Sequence, residues 1–162
     1  MIWQKILYIS FTIFLMIVSI EDIKTMRISD GVLLFFSILH MSLQILSGTR
    51  LEFSLGGIVS GFIIYYALYR VSIKIYKEEG FGYGDVLLIS SIGIVLGSQK
   101  TILAAFLAFY VALLPILYIW LRRGRIEGKE AIPFAPSICL SAFMVLLFGD
   151  WLLYWLSNLF IY

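Results

Sequence analysis

The sequence predicts an all-α polytopic membrane helix bundle of about six transmembrane helices, forming one domain over residues 1–162. Three observations carry this. Hydrophobic residues make up 62% of the chain and charged residues 14%, against roughly 45–50% and about 25% in soluble domains. A chain of 162 residues has no interior large enough to hide that much apolar surface from water, so lipid must cover it. The apolar residues also fall into long runs, with the charges in short clusters between them, as in membrane loops.

The runs can be taken in order. The first covers residues 3–20 and carries Lys5 near its head. It reads as a retained membrane helix and not as a signal peptide, because no small-residue cleavage site follows it. It leads instead into Glu21, Asp22 and Lys24. The second run, 31–46, approaches the roughly 20 residues that a spanning helix needs, and the third, 53–73, reaches them. The fourth, 86–96, is short and contains Gly93. It must begin at or before Asp85, thin the bilayer, or pack inside the bundle. The fifth covers 101–121, and the sixth runs from 134 to about 156 with Gly149 and Asp150 inside it. The sixth reads as one long or broken helix, since two spans need roughly forty residues.

Basic residues set the orientation, because Lys and Arg stay on the cytosolic side. With six spans, Lys24, Arg27, Arg70, Lys74, Lys77, Arg122, Arg123, Arg125 and Lys129 share one side, and Lys5, Arg50 and Lys100 share the other. The first side is therefore read as cytosolic, with both termini outside and the cytoplasmic membrane as the location. The acids Glu21, Asp22, Asp30, Glu78, Glu79, Asp85, Glu127 and Glu130 fall on that cytosolic side, and Asp150 does not.

Other function classes recede. A net charge of +2 gives no reason to expect a nucleic-acid partner. Cys139 is the one cysteine, so an internal disulfide and a cysteine zinc site are excluded by count. No metal and no cofactor is expected. His40, in the middle of the second run, is either a packing residue or a proton relay.

Asp22 and Asp85 stand out by setting. Asp22 ends the first run, and Asp85 opens the fourth after Gly80, Gly82 and Gly84. Acids at membrane depth are costly and rarely purposeless. Two carboxylates meeting at one depth share a proton, because like charges about 3 Å apart resist double ionisation. The ionised member then takes a proton from water while the other serves the scissile carbonyl, which is peptide hydrolysis by general acid–base catalysis. The plainer alternatives are an interfacial charge beside Lys24 for Asp22, and a helix cap for Asp85. Composition and spacing alone favour those alternatives. Glycines at 82 and 84 favour the first reading, since backbone without Cβ lets another chain approach closely.

Three blocks extend the pattern. They are Asp22-Ile23-Lys24-Thr25-Met26-Arg27-Ile28-Ser29-Asp30, Gly82-Tyr83-Gly84-Asp85, and Ile132-Pro133-Phe134-Ala135-Pro136. In order, spacing and membrane side they resemble the type IV prepilin peptidases, GxGD membrane aspartyl proteases, over about residues 19–141. The resemblance implies catalysis by Asp22 and Asp85. It also implies a site shaped for substrate by Gly82, Gly84, Asp30, Pro133, Phe134 and Pro136. Ser29-Asp30 replaces the family's usual Pro-Asn, which makes Asp30 a third acid, although it is also a natural N-cap for the second helix. Leu87 stands where many members carry Lys, and Ala135 replaces a Gly. The chain has no counterpart of the cysteine-containing insert of long members, so it resembles the short, peptidase-only form, with methylation not expected.

The implied partners are a pilin-like precursor, with a short basic leader before a hydrophobic helix, and membrane lipid; the oligomeric state is open. Two alternatives remain at the level of sequence. One is a small transporter or proton-conducting protein using the same acids as relays, and the other is an inactive assembly scaffold.

Overall fold

A computed structural model describes residues 2–76, 81–123 and 132–159. Lys77, Glu78, Glu79, Gly80, Arg125, Glu127, Lys129 and Glu130 lie outside the described residues. The described chain forms α1 (Ile2–Thr25), α2 (Asp30–Leu46), α3 (Leu51–Tyr76), α4 (Tyr83–Arg123) and α5 (Ala135–Leu159). No strand occurs among the described residues. The all-α membrane-type bundle is therefore present. α1, α3, α4 and α5 are long and apolar enough to cross a membrane, and α2 is a shorter apolar helix.

The six predicted runs reappear as helix, but the fourth and fifth are joined. α4 has 41 residues and would span roughly 60 Å if straight, about twice a hydrocarbon core. It is broken at Gly97, whose φ of 71° lies outside the helical region. The chain folds back there. Gly61 on α3 faces both the Ile89 carbonyl and Thr101, residues that would stand roughly 18 Å apart along a straight helix. Both limbs of α4 therefore run beside α3. The first limb starts at Tyr83, ahead of Asp85, and packs inside the bundle, with Leu88, Ile89, Ile92 and Leu96 buried.

Small residues make this close packing possible. In lipid, helices associate through van der Waals fit and hydrogen bonds more than through the hydrophobic effect. Gly57 on α3 lies directly against Gly93 on α4, so a Cβ on either would enter the other's backbone. Side-chain donors then tie the limbs to carbonyls. Ser54 Oγ and Gln44 Nε2 each donate to the Ile94 carbonyl at 3.0 Å, and Tyr65 Oη donates to the Ala105 carbonyl at 3.2 Å. Ser141 Oγ donates to the Ala104 carbonyl at 2.9 Å.

α1 and α5 run antiparallel. Asp22, near the end of α1, meets Ala135 at the start of α5, while Tyr8 shares a cavity wall with Leu147 and Asp150. The start of α1 and the end of α5 thus lie at the end of the bundle away from Asp22. Lys100 Nζ and Asp150 Oδ2 form an ion pair of 2.8 Å at that same end. His40 is fully buried, with its ring 5.5–5.7 Å from those of Phe11, Phe14 and Phe36. Among the described residues neither ring nitrogen reaches full hydrogen-bond geometry, although the Ser10 backbone lies beside the ring, so the structure supports packing for His40.

Candidate active site

The three sequence blocks converge at one end of the bundle. Asp22 sits inside the last turn of α1, three residues before its end at Thr25. Met26 then adopts a left-handed conformation (φ 53°) and its N–H donates to the Asp22 carbonyl at 2.9 Å. That is a helix-stop geometry usually taken by glycine, and it turns the chain toward α2. The turn brings Ile28 against Gly84, where a Cβ would make ordinary contact at 3.6 Å. The first and second blocks meet there.

The first and third blocks meet through a hydrogen bond. The Ala135 N–H donates to Asp22 Oδ2 at 3.0 Å. The first amides of a helix have no partner within it. Ala135 is the first residue of α5, and Pro136 after it brings no N–H to compete. Asp22, 113 positions away in the chain, therefore serves as a cap for α5. A carboxylate there also meets the positive end of the helix dipole.

The third block reaches the residue just before the second through rings. Phe134 lies 5.6 Å from Phe81, 5.4 Å from Phe109 and 6.3 Å from Tyr65, centroid to centroid. Tyr65 in this cluster lies within charge range of Asp85. Asp85 lies in the first turn of α4, which begins at Tyr83, so it is not the N-cap residue. Its N–H donates to the Gly82 carbonyl at 3.2 Å, and a Cβ on Gly82 would stand 3.1 Å from Asp85 Oδ2. Gly82 thus leaves that carboxylate oxygen uncrowded. Asp22 and Asp85 are both largely buried, at 7% and 9% exposure, and lie within charge–charge range of each other.

Asp30 departs from expectation. It is exposed as the first residue of α2, and Ser29 occupies the N-cap position without a side-chain hydrogen bond. It borders a separate groove of about 460 Å³ with Leu33, Leu87 and Ser91, and that groove contains neither Asp22 nor Asp85. Pro133 is half-buried in the extended approach to α5, and Pro136 lies in the first turn of α5.

A sequence profile of the type IV leader peptidase family matches residues 9–117. The chain belongs to the type IV leader peptidase family. The matched stretch contains both aspartates and ends before the third block. The chain is 32% identical to a prepilin leader peptidase/N-methyltransferase of Bacillus subtilis (strain 168), over 84% of this chain and 53% of that protein. It is 27% identical to the protein of the same name from Stutzerimonas stutzeri, over 91% of this chain and 51% of that one. For the Aeromonas hydrophila protein of that name the identity is 29%, over 72% and 43%. The chain thus spans about half the length of the curated relatives it matches. No solved structure matches it. Family membership and the apolar helices together make this leader peptidase relative a multi-pass membrane protein.

Sequence reasoning missed two contributors in this family member. The Ala135 amide left no residue-type signal, although an amide just before Pro136 at a helix start is an orphan donor. Tyr65 is fully buried, bonded to the second limb of α4 and within charge range of Asp85; its run showed only an apolar helix. The Ala135 contact is open to a specific test. Ala135→Pro removes the N–H but keeps a residue favoured at the first helical position. In the reading proposed below, at least a tenfold loss of leader cleavage is expected, with helix content unchanged by circular dichroism. Unchanged cleavage would show that this hydrogen bond does not matter.

Proposed function

We propose that this chain is an aspartic-type endopeptidase that removes the leader from prepilin-like precursors, with Asp22 and Asp85 as the catalytic pair. The observation that supports this most is the convergence of the three blocks. It sets two buried carboxylates within charge range, one held by the Ala135 N–H, in a chain of this family.

In this reading the pair holds one proton. Asp22, whose charge is met by the Ala135 N–H and the helix dipole, takes a proton from a water molecule. The water oxygen attacks the scissile carbonyl carbon while Asp85 gives its proton to the carbonyl oxygen. Collapse of the resulting diol breaks the C–N bond. The proton gained by Asp22 passes to the leaving amine, and the diol returns one to Asp85. Gly82 and Gly84 leave room for an extended substrate backbone, and Pro133, Phe134 and Pro136 shape the mouth. Six passes, a cytosol-facing site in the cytoplasmic membrane and both termini outside fit the antiparallel α1 and α5. They also fit the basic residues Lys24, Arg27, Arg70, Lys74 and Arg122 at the Asp22 end. Peptidase activity without methylation is the narrower reading, since the one cysteine, Cys139, is buried against α1.

The test is co-expression with a type IV prepilin, followed by intact-mass measurement. Loss of the leader is expected. An uncleaved precursor, together with proton flux through vesicles holding the purified chain, would favour a transport function instead.

A further inference from the structure

We propose that Tyr65 is a positioning residue for leader cleavage: its ring holds Phe81 and Phe134 together, and through them sets the separation of Asp85 and Asp22. This rests on the protease reading above.

Asp22 and Asp85 come from different helices, so their separation depends on what joins their backbone anchors. Asp22 is anchored by the Ala135 N–H at 3.0 Å. Phe134 fixes where that N–H sits. Its carbonyl accepts from the Ser137 N–H at 3.0 Å and the Ile138 N–H at 3.2 Å, which opens α5. Asp85 is anchored by its own N–H on the Gly82 carbonyl at 3.2 Å, and Phe81 immediately precedes Gly82. Each anchor therefore has an aromatic ring on the residue before it.

Tyr65 joins those two rings. The Tyr65, Phe81 and Phe134 centroids form a triangle with sides of 5.2, 5.6 and 6.3 Å, all within the range of about 4.5–7 Å at which aromatic pairs attract. Phe109 closes the cluster, 6.0 Å from Tyr65 and 5.4 Å from Phe134. Tyr65 is itself held at both ends. It is fully buried on α3, and its Oη donates to the Ala105 carbonyl at 3.2 Å, one turn before Phe109 on the second limb of α4. The adjacent Ala104 carbonyl accepts from Ser141 Oγ at 2.9 Å, so the same turn of α4 fixes α5. The ring thus carries the α3–α4 packing to both anchors. Full burial keeps Tyr65 from the substrate, so it acts through Phe81 and Phe134 and not on the reacting atoms.

Misplacing reacting groups by about 1 Å costs about 10²-fold in rate. A leucine at position 65 stays apolar but has no ring to span Phe81 and Phe134.

Prepilin cleavage across a range of precursor concentrations tests this, with rates taken per folded enzyme below each melting transition. Tyr65→Leu is expected to lower kcat at least about tenfold and to leave KM within about twofold. Tyr65→Phe keeps the ring and should hold kcat within about threefold of the parent. Phe14→Leu removes another fully buried ring, at the α1–α2 contact, and should keep the parental kcat. Should Tyr65→Leu not fold, Phe109→Leu reads the same point at the exposed edge of the cluster, with kcat at least about threefold down and KM unchanged. Parental kcat in Tyr65→Leu, or in Phe109→Leu where it stands in, overturns the positioning role. So does a loss confined to KM, or an equal kcat loss in Phe14→Leu. An equal loss in Tyr65→Phe assigns the effect to the hydroxyl and overturns it as well. The protease reading then stands if the parent chain cleaves the prepilin. A parent chain that cleaves nothing overturns both.

Discussion

Under the proposed mechanism, Asp22→Asn and Asp85→Asn are each expected to reduce leader removal by about 10²–10⁴-fold, the usual contribution of a general acid or base. Asn keeps the shape of Asp, and an amide oxygen at position 22 still accepts from the Ala135 N–H, so α5 keeps its cap. What is lost is the proton chemistry. Neither variant can share one proton across the pair, and an amide does not take a proton from water at neutral pH. The double variant should fall no further than the single ones, because the two groups act as a unit. The measurement is the initial rate of precursor cleavage by equal amounts of membrane-inserted enzyme. Full activity in both single variants would remove the proposed mechanism.

Gly93→Leu and Gly57→Leu are expected to dismantle the bundle. A Cβ at either position meets backbone of the opposite helix, which has no flexible end to move aside. Overpacking of a core with side chains that can yield costs about 1–3 kcal/mol, so these variants should exceed that range. The consequence for the site is direct. Gly93 lies two helical turns beyond Asp85 on the same limb, so pushing that limb off α3 displaces the carboxylate. Loss of the native thermal transition in detergent, with Asp85 still present, is the expected readout. Gly97→Ala tests a related point. Its positive φ and its contact with the Phe53 ring both oppose a side chain, and the backbone alone costs about 1–3 kcal/mol. A wild-type melting temperature in Gly93→Leu would show that the α3–α4 contact is dispensable.

Much of this was legible in the chain. Hydropathy located the six helical runs because in lipid every backbone polar group must be satisfied internally, which leaves helix as the local solution. The short fourth run left three options, an earlier start, a thinned bilayer or packing inside the bundle; the helix starts at Tyr83, ahead of Asp85, and packs inside the bundle. The turn at Gly97 was less legible. Gly57-x-x-x-Gly61 and Gly93-x-x-x-Gly97 both show small residues four apart, but spacing on one helix does not name the partner helix. Asp30 shows the opposite failure. It is near Asp22 in sequence, yet α2 begins there and carries it to a different groove.

The sequence by itself determined the class of the protein: an apolar helical chain with acids clustered at one end of its helices and three blocks spaced as in leader peptidases. Those features are local in the chain, set by side-chain type and helical period. Only the tertiary structure decided that the blocks meet, through Ala135 on Asp22 and Ile28 on Gly84, with Phe81, just before the second block, on Phe134. The physical reason is that these contacts join residues separated by tens of positions. They depend on how closely glycine lets α3 and α4 approach, and on an orphan amide at the start of α5 that no residue type encodes.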